Sequence, residues 1–226
     1  MIDVTRRTAI LLGVAGVAGV AAVWSRWPTL GAITGGRRLP IPTLIDARNG
    51  EPVTLTLQNG THDFGGGVPV PSAGISSGYL GPVVRVRTGD TIPFRVENRL
   101  AEPTTLHWHG MLVPGRIDGG PHNIIAPGAV WQPELTIRQP AATTWFHPHM
   151  HGMTGRQVYS GLAGMMIVTD GTDRDRGLPS AYGIDDLPLV LQDKRFASDG
   201  RPLYALGMME LMCPPSAPMR QIEGSR

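Results

Sequence analysis

One cysteine, Cys213, stands among the 226 residues, so no disulfide within the chain can brace the fold. Charge is scarce as well: 17% of residues are charged and the net charge is +2. Much of the basic character lies near the start, at Arg6, Arg7, Arg26, Arg37 and Arg38, and composition gives no basis for a nucleic-acid partner. No His-Glu-x-x-His pattern occurs, which removes the helical zinc-hydrolase motif. Long helix-forming stretches are few, whereas Gly (30) and Pro (21) are abundant, so a turn-rich β protein is expected rather than a helical one.

The apolar run Ala9 to Val23 falls short of the roughly 20 residues that cross a bilayer and is weakened by Gly13, Gly16 and Gly19. With Thr5-Arg6-Arg7-Thr8 before it, the segment resembles a twin-arginine export signal. That implies the twin-arginine export machinery as a partner and a periplasmic or extracytoplasmic location, with an uncleaved membrane anchor as the open alternative. No cleavage site stands out before Trp24, and residues 24–43 have the composition of a linker.

Folded sequence is expected from about Ile45. Pro52 to Gln58 alternates apolar and polar residues and predicts a strand that ends in a turn at Asn59-Gly60. Val83 to Arg87 and Ile92 to Glu97, joined by Thr88-Gly89-Asp90, predict antiparallel neighbours, with Pro93 marking an edge or a bulge. Further strands are predicted at Trp131 to Ile137, Thr143 to His147 and Gly164 to Thr169, a density that suggests a β-sandwich. Asp170 to Gly177 has the polarity of a boundary, and the apolar run Leu187 to Gln192 opens what looks like a second domain, with too few residues following to close it. The expected layout is therefore an export signal and linker over 1–43, a first domain over 44–170, the start of a second over 171–211, and a tail over 212–226.

Five of the seven histidines fall in two compact groups, His107-Trp108-His109-Gly110 and His147-Pro148-His149-Met150-His151-Gly152. Residues two apart in a strand share a face, so each His-x-His presents two imidazoles to one side of a sheet. Two such pairs on neighbouring strands make a four-imidazole rim suited to copper, zinc or iron. Histidines scattered along a sheet edge are the competing account. Two pairs, both followed by glycine at or just past the group and set in strand-like sequence, weigh against it.

Around these pairs, Leu106-His107-Trp108-His109-Gly110 and Trp145-Phe146-His147-Pro148-His149 resemble the first two copper motifs of the multicopper oxidases. The likeness extends through Asp118-Gly119-Gly120-Pro121, Gln139-Pro140-Ala141-Ala142-Thr143 and Gly155-Arg156-Gln157-Val158-Tyr159 to Gln192-Asp193-Lys194, over roughly Ile45 to Glu210. It is greatest to the bacterial periplasmic copper-efflux oxidases, which oxidise cuprous ions. The resemblance implies an all-β, cupredoxin-like Greek-key sandwich followed by an incomplete second cupredoxin-like domain. It also implies copper as cofactor, and dioxygen and a reducing substrate, cuprous or phenolic, as partners. His107 takes the place of a type 2 copper ligand, and His109, His147 and His149 those of type 3 ligands. His151 matches a histidine that does not bind copper in the family. Asp118 resembles the acid near the cluster that helps supply protons to reduced oxygen; a plain turn residue is the alternative.

The family's trinuclear cluster draws as many histidines again from a later domain, and its type 1 copper needs a cysteine between histidines. Here no histidine follows His151, so Cys213 is not expected to be a type 1 ligand and the type 1 site is absent from this chain. The likeness stops near Met212, which suggests a shifted frame or premature stop and a chain inactive by itself. Non-catalytic copper binding and a scaffold role remain as alternatives. Met208, Met209 and Met212 suit either cuprous binding or packing. His62 and His122 are expected to be ordinary surface residues.

Overall fold

The computed structural model describes residues 39–172 and 177–204. The twin-arginine segment, the tail over 212–226, Cys213 and the three late methionines lie outside the described residues.

Two five-stranded sheets form the body. The first has the order β1 (Leu44–Asp46), β4 (Val83–Arg87), β10 (Gly164–Thr169), β9 (Ala142–His147) and β6 (His107–His109). The second runs β3 (Val70–Ile75), β2 (Val53–His62), β5 (Thr91–Asn98) and β7 (Val130–Trp131), with β8 (Glu134–Thr136) also on β5. Pairing is mixed: β4 lies parallel to both β1 and β10, and β2 parallel to β5, while the remaining contacts are antiparallel.

Alternation decides which face each strand buries. In β5, Ile92, Phe94, Val96 and Asn98 point inward and the intervening Thr91, Pro93 and Arg95 outward. The inner residues of the two sheets meet in one core that joins Leu55, Leu57, Ile75 and Leu135 to Val84, Phe146, Met166 and Trp108. Phe94 and Trp108 cross the gap with ring centroids 4.6 Å apart. Each such fully buried side chain contributes about 1.5–3 kcal/mol through removal from water.

Four local expectations are corrected. Asn59-Gly60 is no turn: β2 continues to His62, and Gly60 pairs with Ser72. A Cβ at Gly60 would fall 2.5 Å from Gly78 Cα, so the glycine permits a close backbone approach inside the strand. The reversal comes later, where the Asp63 carboxylate accepts from the N–H groups of Gly65 and Gly67.

Second, β4 and β5 are not partners. Thr88-Gly89-Asp90 carries the chain from one sheet to the other, with the Thr88 N–H donating to Thr169 and the Gly89 N–H to Ile137. Both strands have buried inner faces, so they belong to opposite layers of the sandwich. Pro93 sits at a local edge, because pairing of β2 with β5 begins one residue later at Phe94, and β7 and β8 hold a common register along β5 with no bulge.

Third, Leu187 to Gln192 forms no strand among the described residues, and Leu187, Leu189, Val190 and Leu191 are exposed. After it comes a short hairpin of β11 (Arg195–Phe196) and β12 (Pro202–Leu203). Tethers hold this stretch to the sandwich: the Tyr79 hydroxyl lies 2.5 Å from Gln192 Oε1, and the Arg195 N–H donates to the Tyr159 hydroxyl at 2.9 Å. The Lys194 ammonium lies over the Tyr159 ring and donates to the Tyr159 carbonyl. His62 is likewise not an ordinary surface residue: it is half-buried and stacks on Tyr79 at 4.5 Å beside Phe64, where burial lowers its pKa. His122 is exposed, with Nε2 2.7 Å from the Gly115 carbonyl.

Candidate metal centre

The edge of the first sheet brings the predicted histidines together. β6 and β9 are antiparallel in a register that sets His107 opposite His147 and His109 opposite Trp145. Trp108 and Phe146, the residues between, point into the core and are fully buried. Burying Trp108 therefore turns His107 and His109 to the opposite face. One nitrogen from each of His107, His109 and His147 lies within 4.8 Å of the others. His149 stands past the end of β9, its N–H donating to Thr105 Oγ1 at 2.7 Å, and its ring is 5.4 Å from that of His107 and 6.2 Å from that of His147. The four imidazoles thus gather at one sheet edge, three of them tightly and His149 through His107 and His147.

Hydrogen bonds aim the rings. His107 Nδ1 is 2.9 Å from the Asp118 carbonyl, so it carries the proton and leaves Nε2 with a free lone pair. His147 Nδ1 donates likewise to the Pro148 carbonyl at 2.8 Å. Its Nε2 lies 3.1 Å from His109 Nδ1, close enough to share a proton or, with both lone pairs free, a cation. Burial pushes His147 down to about 4, and the neighbouring imidazoles act in the same direction against the Pro148 carbonyl. The uncharged form of His147 is thereby favoured at neutral pH, and three imidazole nitrogens at this spacing could hold a transition-metal ion.

Asp118 closes the side next to His107. Its carboxylate Oδ2 is 3.3 Å from His107 Nδ1, and its backbone carbonyl also accepts the Trp108 N–H at 3.1 Å. The loop can press this closely only because Gly119 follows: at φ +75°, a Cβ there would fall 1.7 Å from the Leu106 carbonyl oxygen. His151 is exposed and lies outside the ring contacts that join the four.

Residue types alone left several supporting groups unassigned. Trp145 stacks on His147 at 4.0 Å and tilts against His109 at 5.0 Å. Gln139 is buried; its Oε1 accepts the Leu112 N–H and its Nε2 donates to Gly110, which fixes the turn after His109. Gln157 sits on the short helix α1 (Thr154–Ser160), 1% exposed, and binds Thr104, Pro103 and Glu102. These bonds clamp the approach to β6 against the helix that follows the second histidine group. The repeated side-chain amides within the motifs that carry the family likeness were the available signal for Gln139 and Gln157.

The multicopper oxidase family pattern matches residues 56–173. Among curated relatives, the cell division protein FtsP of Rahnella sp. (strain Y9602) is 45% identical over 166 residues, covering 74% of this chain and 35% of its own length. The chain thus spans about a third of the length of that relative. Among solved structures, the laccase-like multicopper oxidase CueO of Ochrobactrum sp., described as having oxidase activity towards lignin model compounds and lignosulfonate, is 52% identical with a TM-score of 0.71. That match covers 77% of this chain and 39% of the other. McoA of Aquifex aeolicus, also a multicopper oxidase, is 33% identical with a TM-score of 0.68, covering 76% and 39%. The sandwich is cupredoxin-like, as the sequence led us to expect.

Proposed function

The chain belongs to the multicopper oxidase family, and on that premise we propose that His107, His109, His147 and His149 are copper ligands supplying half of an oxygen-reducing centre. The convergence of three ring nitrogens within 4.8 Å carries this reading. His107 takes the type 2 position and the other three the type 3 positions. The whole protein then couples oxidation of cuprous ions or phenolic reductants to reduction of dioxygen to water. Copper held by these histidines would supply one-electron redox chemistry. The chain's residues hold and orient: the carbonyls of Asp118 and Pro148 fix the tautomers of His107 and His147, and Trp145 stacks on one face of the His147 ring. Asp118 is assigned the passage of protons inward from water, a role supported by its 32% exposure and by the 3.3 Å between its Oδ2 and His107 Nδ1.

By itself the 226-residue chain is expected to show no dioxygen consumption with copper added, because it carries no histidine after His151 to complete the centre. The proposed division is a first cupredoxin-like domain over 44–170 and the opening of a second over 171–211. Arg6-Arg7 before the apolar run supports export by the twin-arginine route to an extracytoplasmic site; retention of the Arg6→Lys/Arg7→Lys variant in the cytoplasm is the expected result of a fractionation assay.

A second reading, a non-catalytic copper module or scaffold, is favoured by the curated relatives, which are named as cell division proteins. A pure scaffold has no physical need for four converging imidazoles, and this ranks the reading second. Cupric titration separates the readings: copper bound at the cluster and lost in His107→Ala and His147→Ala removes the copper-free scaffold. Dioxygen turnover after addition of a chain bearing the remaining histidines then separates oxidase from module.

A further inference from the structure

The turn Met150-His151-Gly152-Met153 leaves the copper cluster and enters α1, and the four-histidine reading assigns it nothing. It is closed firmly: the Met150 carbonyl accepts the N–H of Met153 at 3.0 Å, the N–H of Thr154 at 3.0 Å and the Thr154 hydroxyl at 2.9 Å. Gly152 supplies the left-handed residue of the turn at φ +72°. On one flank the His149 N–H is held by Thr105, and on the other Met153 begins the helix by accepting the Gln157 N–H. In a turn closed this way the first and fourth residues lie within about 7 Å at Cα, which brings the two methionines to one locality with His151 at the corner between them.

Burial separates these methionines from the packing ones. Met111 and Met166 are core residues, and Met166 is 1% exposed. Met150 and Met153 are only half-buried and His151 is exposed, so the thioethers border water without filling the interior. No Asp, Glu or Cys lies in the turn. Two thioethers and an imidazole are a neutral, soft donor set, which selects cuprous copper over hard divalent ions. We propose that Met150, His151 and Met153 form a cuprous-ion capture site on the rim of the histidine centre, distinct from it in donors and in the metal state it prefers. The site begins at the residue that follows His149.

The test is anaerobic cuprous titration of the full chain against a competing cuprous chelator, with X-ray absorption to detect copper–sulfur scattering. The Met150→Leu/Met153→Leu variant keeps side-chain size and is expected to lose the sulfur scattering. Its cuprous affinity should fall about tenfold or more, the scale on which loss of a metal-supporting group acts. His151→Ala should weaken binding while leaving the sulfur signal. Cupric binding at the histidine cluster, measured in parallel, should stay unchanged in these variants, so failure here is distinguishable from failure of the cluster reading. Sulfur scattering that persists in the double leucine variant, or cuprous binding that is absent or lost only in His107→Ala/His147→Ala, overturns the proposal.

Discussion

The histidine edge of the first sheet and the stretch from Leu178 to Tyr204 are held to the sandwich in opposite ways. At the edge, each side chain that faces the cluster alternates with one driven into the core, and the polar groups are bonded to carbonyls, hydroxyls and buried amides. Later in the chain, Leu187, Leu189, Val190 and Leu191 are exposed, and attachment runs through separate contacts: around Tyr79, Tyr159, Gln192 and Lys194, through Tyr182 on Pro42 and Arg85, and through Phe196 on Phe64. The histidine edge is built where packing and hydrogen bonding over-determine geometry, as the proposed metal role requires. The run Leu187 to Leu191 instead presents apolar side chains to water between its tethers.

Breaking the first region should have the largest effect. Trp108→Ala removes the buried ring between the two cluster histidines and should cost about 3–5 kcal/mol in chemical denaturation, with loss of cluster geometry. Gln157→Ala leaves buried partners unsatisfied and should cost about 1–3 kcal/mol while weakening copper binding, because the approach to β6 slackens. Tyr79→Phe deletes only the bond to Gln192 and should cost about 1 kcal/mol, seen as faster hydrogen exchange over residues 187–204 with the sandwich amides unchanged.

A pH dependence is expected as well. Burial pushes Lys194 down to about 8 from its ordinary 10.5, against the opposing influence of Asp193. Between those values the unfolded chain binds a proton that the folded chain has released, so stability rises with pH. The contribution is therefore full above the ordinary value and lost as pH falls through about 8. Lys194→Met should flatten that rise in denaturation midpoints measured from pH 8 to pH 10.

Much of the fold was legible because period-two burial writes itself into strands. Gly164–Thr169 is a strand over the predicted residues, and predicted 143–147 is extended by one residue at Ala142. Partners were harder to read. Thr88-Gly89-Asp90 has hairpin chemistry yet changes sheets, since only the three-dimensional core decides on which layer a strand lies. Gly60 resembled a turn residue because its neighbour Gly78 is distant in sequence. At the site, the His-x-His spacing placed His107 and His109 on one face, while the strand register that sets His107 against His147 depends on long-range pairing. Trp145 was visible within its motif, but its stacking on His147 was not.

The central claim is that these imidazoles converge to hold copper, and cupric titration with electron paramagnetic resonance on the purified chain addresses it most directly. The account predicts nitrogen-coordinated copper, quenching of Trp145 fluorescence through its contact with His147, and loss of both signals in His107→Ala and His147→Ala. Copper binding and quenching that survive both substitutions in folded protein would contradict it.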